Sequence, residues 1–520
     1  MKQQKNKEPN YPRLHLIGAS FTLCNTLLGG GTLSVPFGFY VSGIAQGLLL
    51  MFLCAIVSGY SLTLLDQMAR LTGLNSYKDL SEFIFNKYFS KFVAMMFILL
   101  IFGSVTAYFC FIGDLSDSLI SSLFEDSDWS GSNWIDRRLF ISIITVMVIF
   151  PITFFRNIGS LRFPSYLVIV ALFIVVLQTL IHSITNLSVN GLKATEISYF
   201  RFNSESLLAI PIFSLAFVCQ MAFFPIRKEL VHPTKHKVFL VITNTIFLGL
   251  AFYLVVGLFA YLDFKDKTKG DILLNYSTDS VWSILAQIGM IFAIIFSAPV
   301  IFFTGKTALR HLIYGSDSVE NSKNLWFTSV IPFFLVLILS LIIPNVVSIF
   351  SITGAFCGTA IVMIFPPLFF IKLKYDLINK KHMKLNSKTN INLNHKSKYM
   401  DDQNDSTDLD ISDENENDLQ NNGINSNQKN KNFDRNIILS DSSNSDDRVQ
   451  KNLIGFSENK FSENDDIHIE SLQLIEEVNE IQMNITRKKL ILPWVTMILG
   501  LICNVFCSIE SIKEFTKKRN

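Results

Sequence analysis

Charge is what this chain has least of. Only 17% of its 520 residues are Asp, Glu, Lys or Arg, against about 25% in soluble globular domains, and with a mean hydropathy of +0.37 that shortage excludes an ordinary soluble domain. Cysteine is scarce as well. Cys24, Cys54, Cys110, Cys219, Cys357, Cys503 and Cys507 all sit inside apolar runs, where a thiol serves as a small buried hydrophobe, so no disulfide framework is implied. Cys503 and Cys507 lie a helical turn apart but have no His or further Cys nearby to complete a metal site. The first apolar run lacks a small-residue cleavage site, so the basic N-terminus should lead into a retained helix. A channel would need a repeated selectivity element or a ring of charge, and neither occurs. An intramembrane protease would need Gly-x-Gly-Asp, and Phe111-Ile-Gly-Asp114 lacks the first glycine, so no enzyme is expected.

What the chain does have is long apolar runs. A spanning helix needs about 20 predominantly apolar residues, and eleven runs qualify as candidates: roughly 15–41, 43–65, 92–114, 139–155, 164–183, 207–226, 239–262, 281–305, 326–343, 347–371 and 490–510. With the N-terminus inside, the inner segments before span 11 hold 17 Lys and Arg and the outer ones 7. The positive-inside rule therefore makes the N-terminus cytoplasmic. The expected organisation is a cytoplasmic segment 1–14, ten core helices over 15–374, an Asn/Ser-rich acidic cytoplasmic loop 375–486, and a last helix with its tail over 487–520. Within that loop, residues 386–486 carry 21 acidic against 9 basic side chains and hardly any aromatics, a composition that cannot offset its ordering entropy, and disorder is expected. Apolar residues recur at near-helical spacing over 467–485, as either a transient amphipathic helix or a regulatory latch. A second amphipathic piece, 76–89, opens with a capping box in which Ser76 faces Asp79.

Span 1 concentrates helix breakers at midplane: Asn25, Thr26, then Gly29, Gly30 and Gly31, with Pro36 beyond. One glycine there would read as close helix packing; three in a row, with Asn one turn earlier, favour an unwound segment. Broken helices at midplane let secondary transporters offer free N–H groups to a substrate carboxylate and free carbonyls to a cation. Span 6 repeats the pattern, with Pro211 and Pro225 flanking Cys219 and Gln220. The separation of five spans suits an inverted repeat, which makes span 8 the counterpart of span 3. Ser297, just before Pro299, is the conspicuous polar residue of span 8; such a serine either bonds its own i−4 carbonyl or serves a ligand. The titratable candidates are Asp114 and Asp117 near the outer end of span 3 and His182 at the end of span 5, as interfacial groups or as a proton relay.

Several motifs, in order, resemble the amino acid/auxin permease family of eukaryotic neutral and vacuolar amino acid transporters. They are NTLLGGGTLSVPF in span 1, AYFCFIGDLSDSL (107–119), AFVCQMAFFPIRKELVHP in span 6, SAPVIFFTGK in span 8 and IPNVVSIFSITGAFCGTAIVMIFPPLFFIKL around span 10. The chain departs from the family at Gln220, where many relatives have His, and at Arg227, where many have Tyr; the long acidic loop is a further departure.

The resemblance implies an all-α integral membrane protein of about 11 transmembrane helices. Its fold would be APC/LeuT-like, a 5+5 inverted repeat plus one helix with helices 1 and 6 broken, moving amino acids by alternating access on a sodium or proton gradient. Asn25, Thr26, Gly29, Gly30, Gly31, Phe217, Cys219 and Gln220 match substrate-binding positions. The substrate carboxylate would meet the Gly29–Gly31 amides and its ammonium the carbonyls near Ala216 to Val218. Asn25 and Ser297 match the positions that ligate sodium in sodium-coupled members; for a proton, Asp114 is the first candidate. No cofactor beyond the coupling ion and no nucleic-acid partner is expected; the partners are the amino acid and the bilayer. The rival is a transporter-like amino acid sensor signalling through the 375–486 loop. The plasma membrane and a vacuolar or lysosomal membrane remain open, as does the oligomeric state.

Overall fold

The computed structural model describes residues 14–29, 31–123, 138, 141–153, 162–191, 197–276, 280–314, 322–343, 346–379, 490–513 and 515–516. Gly30, the segment 1–13 and nearly all of the acidic loop, including 467–485, lie outside the described residues. Every described element is helical apart from short connections and an isolated backbone bridge between Leu14 and Leu230.

In chain order the helices are α1 (Leu16–Leu27), α2 (Gly31–Ser42), α3 (Ile44–Thr72), α4 (Tyr77–Ile84) and α5 (Lys87–Leu123). There follow α6 (Ile141–Thr153), α7 (Arg162–Asn190), α8 (Ala209–Ala216), α9 (Gln220–Glu229) and α10 (Lys235–Phe264). The chain then forms α11 (Val281–Tyr314), α12 (Ser322–Ile342), α13 (Val346–Asn379) and α14 (Leu490–Lys513). Among the described residues eight helical stretches are long and apolar enough to cross a membrane, α8 and α9 counting as one; α1 and α2 supply a ninth if their bent pair is one span, and α6 and α12 are shorter apolar helices. The described residues between 14 and 376 and between 491 and 516 belong to one compact unit, and the described residues 377–379 and 490 to a second.

The long spanning helices are largely apolar around their circumference because bilayer and core are both apolar, and their backbone groups bond within the helix because lipid offers no partners. Helix ends, where water returns, carry conventional signals. Gly73 closes α3 in the left-handed region, at φ 73°. Ser76 accepts from the Asp79 amide at the start of α4, the Ser76/Asp79 cap read in the sequence, and Thr234 accepts from Lys237 at the start of α10. The amphipathic stretch 76–89 does not run through. It stops at Ile84, and the Asn86 side chain accepts from the Phe89 amide to start α5, so span 3 begins near 87 rather than 92.

Exposure separates centre from periphery. The 204–229 and 346–379 stretches are 72% and 83% buried over their apolar windows, whereas 490–513 is 28% buried and turns most of its face outward. Scattered polar bonds hold the bundle together, as expected where lipid gives no hydrophobic drive between helices. Gln178 donates to Ser283 at 2.7 Å, Thr245 to the Ser20 carbonyl at 3.2 Å, and the buried Lys306 ammonium to the Thr153 carbonyl at 2.8 Å.

Candidate functional site

Two apolar helical stretches are interrupted. The axes of α1 and α2 are bent by 60°, and α8 ends at Ala216 with α9 starting at Gln220. The two interruptions pack on each other: a Cβ added to Gly31 would lie 3.3 Å from the Ala216 Cα, and one added to Gly29 would lie 2.5 Å from the Tyr108 hydroxyl on α5. Small residues are therefore needed because another helix occupies the space. The N-terminal ends of α2 and α9 and the C-terminal ends of α1 and α8 meet here, which brings partial positive and partial negative helix charge to one place.

The carbonyls expected to be free near Ala216 are already engaged. The Tyr253 hydroxyl, on α10, lies 2.8 Å from the Ala216 carbonyl and 2.6 Å from that of Leu27, the last residue of α1. Ser58, on α3, donates to the Phe217 carbonyl at 2.8 Å. The physical reason is burial, since a carbonyl left unpaired away from water costs the equivalent of a lost hydrogen bond, and intact neighbouring helices supply the donors. A carbonyl oxygen has two lone pairs, so each can still accept from a ligand. Gln220, fully buried, accepts from the Cys219 amide at 3.0 Å and donates to Ser58 at 3.2 Å, closing the turn from within. Phe217 is fully buried with its ring edge-on to Tyr253 at 5.2 Å, and Cys219, two residues on, is buried as well.

The remaining candidates are more scattered. Asn25 lies on the last turn of α1, and its Oδ1 is enclosed without a hydrogen-bond partner. Thr26 is exposed and donates to its own helix at Leu23, 2.7 Å away. Ser297, in α11, donates to Ala293 four residues back at 2.7 Å. No hydrogen bond joins Ser297 to Asn25 among the described residues. Asp114 is half-buried toward the far end of α5, and His182 pairs with the buried Asp263 of α10 at 2.5 Å.

The sequence reading passed over Tyr253, Ser58 and Tyr108. The signal existed, because a buried tyrosine or serine hydroxyl in mid-span usually finds a partner, but it does not say which partner.

At the end of the bundle that carries Leu14, a cavity of about 1030 Å³ opens between α4, α5, α9 and α11, and its lining reaches Met221, next to Gln220. Lys78, Lys87, Lys91 and Lys228 line it together with Asp79, Glu82 and Glu229. Beside it, Asp66 of α3 accepts from Arg227 of α9 at 2.9 Å and from Arg70 at 2.7 Å, and Arg227 also donates to the Asn75 side-chain carbonyl.

At the opposite end, the loop between α10 and α11 rests on α2, where Ser34 donates to the Gly270 carbonyl at 2.9 Å. Asp271 is buried in that loop; its Oδ1 accepts from the Leu273 amide at 3.0 Å and its Oδ2 has no partner. Burial pushes its carboxyl up to about 8, with Asp114 adding to the shift and the Leu273 amide and Lys269 opposing it. An acid raised in the folded state resists ionising while its unfolded counterpart ionises near pH 4. Stability is therefore lost as pH climbs from about 4 and levels off above about 8. Asp271→Asn, permanently neutral, is expected to melt several degrees above wild type in detergent at pH 8.5 and to converge with it toward pH 4. A difference that does not change with pH would exclude this assignment.

A family model described as transmembrane amino acid transporter protein matches residues 14–391. The sodium-coupled neutral amino acid symporter 2 of Danio rerio is 26% identical over 389 residues, which is 70% of this chain and 76% of the relative. Among solved structures, a chain from the substrate-bound outward-open state of a Na+-coupled sialic acid symporter aligns with a TM-score of 0.45 at 14% identity, covering 69% of this chain and 78% of that one.

Proposed function

The chain belongs to the transmembrane amino acid transporter protein family, and from that premise we propose that it moves amino acids across a membrane by alternating access, driven by a cation gradient. The observation that carries this reading is the packing of the two interruptions, with Gly31 against Ala216 and one hydroxyl reaching the last carbonyls of both α1 and α8. A zwitterion leaving water needs both charges met. Its carboxylate is assigned to the amides that open α2 and α9, and its ammonium to the carbonyls that close α1 and α8.

In this reading the apolar helices make eleven spans, with 15–374 as a core of two inverted five-helix repeats, 375–486 as a cytoplasmic loop and 487–520 as the last span and tail. The N-terminus is cytoplasmic by the Lys/Arg bias, so the cavity beside Met221 opens to the cytoplasm. It serves as the exit vestibule.

Sodium is the favoured coupling ion. The enclosed, partnerless Oδ1 of Asn25 suits a hard cation that takes oxygen ligands, and the zebrafish relative is named as sodium-coupled. Ser297 donates its proton to Ala293, which leaves its oxygen lone pairs available. Asn25→Ala and Ser297→Ala are each expected to raise the sodium concentration for half-maximal uptake by about tenfold, the worth of one ligand contact of about 1.4 kcal/mol, with substrate KM at saturating sodium changed less. Uptake of a panel of radiolabelled amino acids into proteoliposomes under imposed sodium and pH gradients checks both steps. Wild-type uptake that ignores sodium and follows the pH gradient would replace this pair with a proton path starting at Asp114.

A further inference from the structure

Helices α1 and α8 both end inside the bundle, and the unpaired carbonyls of a helix C-terminus carry a partial negative charge of about half an elementary charge. Two such ends brought to one point repel each other unless something positive stands between them. Leu27 closes α1 and Ala216 closes α8. The Tyr253 hydroxyl lies within reach of both carbonyls, at 2.6 Å and 2.8 Å. A hydroxyl has one proton to give, so the two carbonyls share it and each keeps acceptor capacity. The tyrosine is fully buried on α10, a helix that runs without interruption, and its ring is braced by Phe217 at 88°.

We infer that Tyr253 is a positioning residue for amino acid binding: an unbroken helix uses its hydroxyl to fix the spacing of the two carbonyl ends that receive the substrate's ammonium. This rests on the transport reading above, which places the ammonium there. With the hydroxyl present the ends are held ready for a cation. Without it they repel, and the substrate must organise the site with part of its own binding energy.

Tyr253→Phe keeps the ring and its contact with Phe217 but removes the shared proton. In proteoliposomes holding the full chain, the probe is whichever of the twenty radiolabelled L-amino acids wild type takes up fastest. KM for that probe should rise about five- to tenfold, the net worth of one hydrogen bond, with Vmax per reconstituted protein changing less than twofold. Tyr261→Phe is the control. It lies on the same helix and is equally buried, but its hydroxyl has no hydrogen-bond partner, so its KM should match wild type. Should Tyr253→Phe fail to fold, Tyr253→3-fluorotyrosine keeps the shape, makes the hydroxyl a stronger donor and should lower KM. An unchanged or lowered KM in Tyr253→Phe, an equal rise in Tyr261→Phe, or an unmoved KM with fluorotyrosine overturns the assignment of Tyr253 alone. Absence of wild-type uptake for every amino acid overturns the transport reading and this inference with it.

Discussion

Replacing Gly31 with valine is expected to reduce amino acid uptake about 100-fold, the scale of loss that follows a displacement of about 1 Å in a reacting or binding geometry, while the protein still reaches the membrane. The added Cβ would stand 3.3 Å from the Ala216 Cα and 3.5 Å from its Cβ. That neighbour is the backbone and first side-chain atom of α8, which cannot swing aside, and valine adds two methyl groups beyond the Cβ. Overpacking of this kind typically costs about 1–3 kcal/mol, too little to dismantle a bundle of this size. It acts, however, at the place where α2 and α8 must touch for the Leu27 and Ala216 carbonyls to meet at Tyr253. Gly29 provides a graded comparison, because its added Cβ would meet the Tyr108 hydroxyl at 2.5 Å, the far end of a side chain rather than backbone. Gly29→Ala should lose less activity than Gly31→Val. Initial uptake rates normalised to reconstituted protein give the measurement, and wild-type rates in a well-folded Gly31→Val protein would remove the packed interruptions from the site.

Asp66→Ala is expected to lower stability by about 3–5 kcal/mol, the cost of leaving a buried ionic partner uncompensated. The Asp66 side chain is 7% exposed and that of Arg227 11%, so the arginine could not recover its hydration without moving the end of α9. Arg70, at 28%, can turn to solvent. Replacing the pair with apolar side chains of similar volume removes both burdens, and such replacements are often close to neutral. Asp66→Met/Arg227→Met should therefore melt above Asp66→Ala despite carrying one more substitution. Thermal unfolding of the purified variants in detergent checks the order. If the double variant melts below the single one, the loss at Asp66 is one of packing and the uncompensated-charge account is wrong.

Arg227 also shows where reading the chain stops. As a departure from the family pattern it was visible at once, but its partner is 161 positions away on another helix, and nothing in local spacing connects the two. The same holds for Gln220. Its position at the second interruption was legible because Pro211, Pro225 and the polar pair at 219–220 break an apolar run. That its amide turns back to the Cys219 amide and across to Ser58 depends on α3 being there. Ser297 carried two meanings from the start, and the bond to Ala293 uses its proton while leaving its lone pairs. The boundary of span 3 moved for a simpler reason: hydropathy marks where a helix is apolar, whereas its end is set by a cap, here the Asn86 side chain.

By itself the sequence determined that this is a multi-pass membrane protein of a transporter family. Those properties follow from composition, run length and helix breakers, which act through the nearest neighbours along the chain and the uniform apolarity of lipid. The tertiary structure alone decided which groups complete the interruptions. A buried carbonyl must be paired wherever the helix releases it, and the donor comes from whichever intact helix packs alongside. Tyr253 and Ser58 hold those places through contacts 226 and 159 positions apart in the chain, distances over which sequence pattern carries no geometric information.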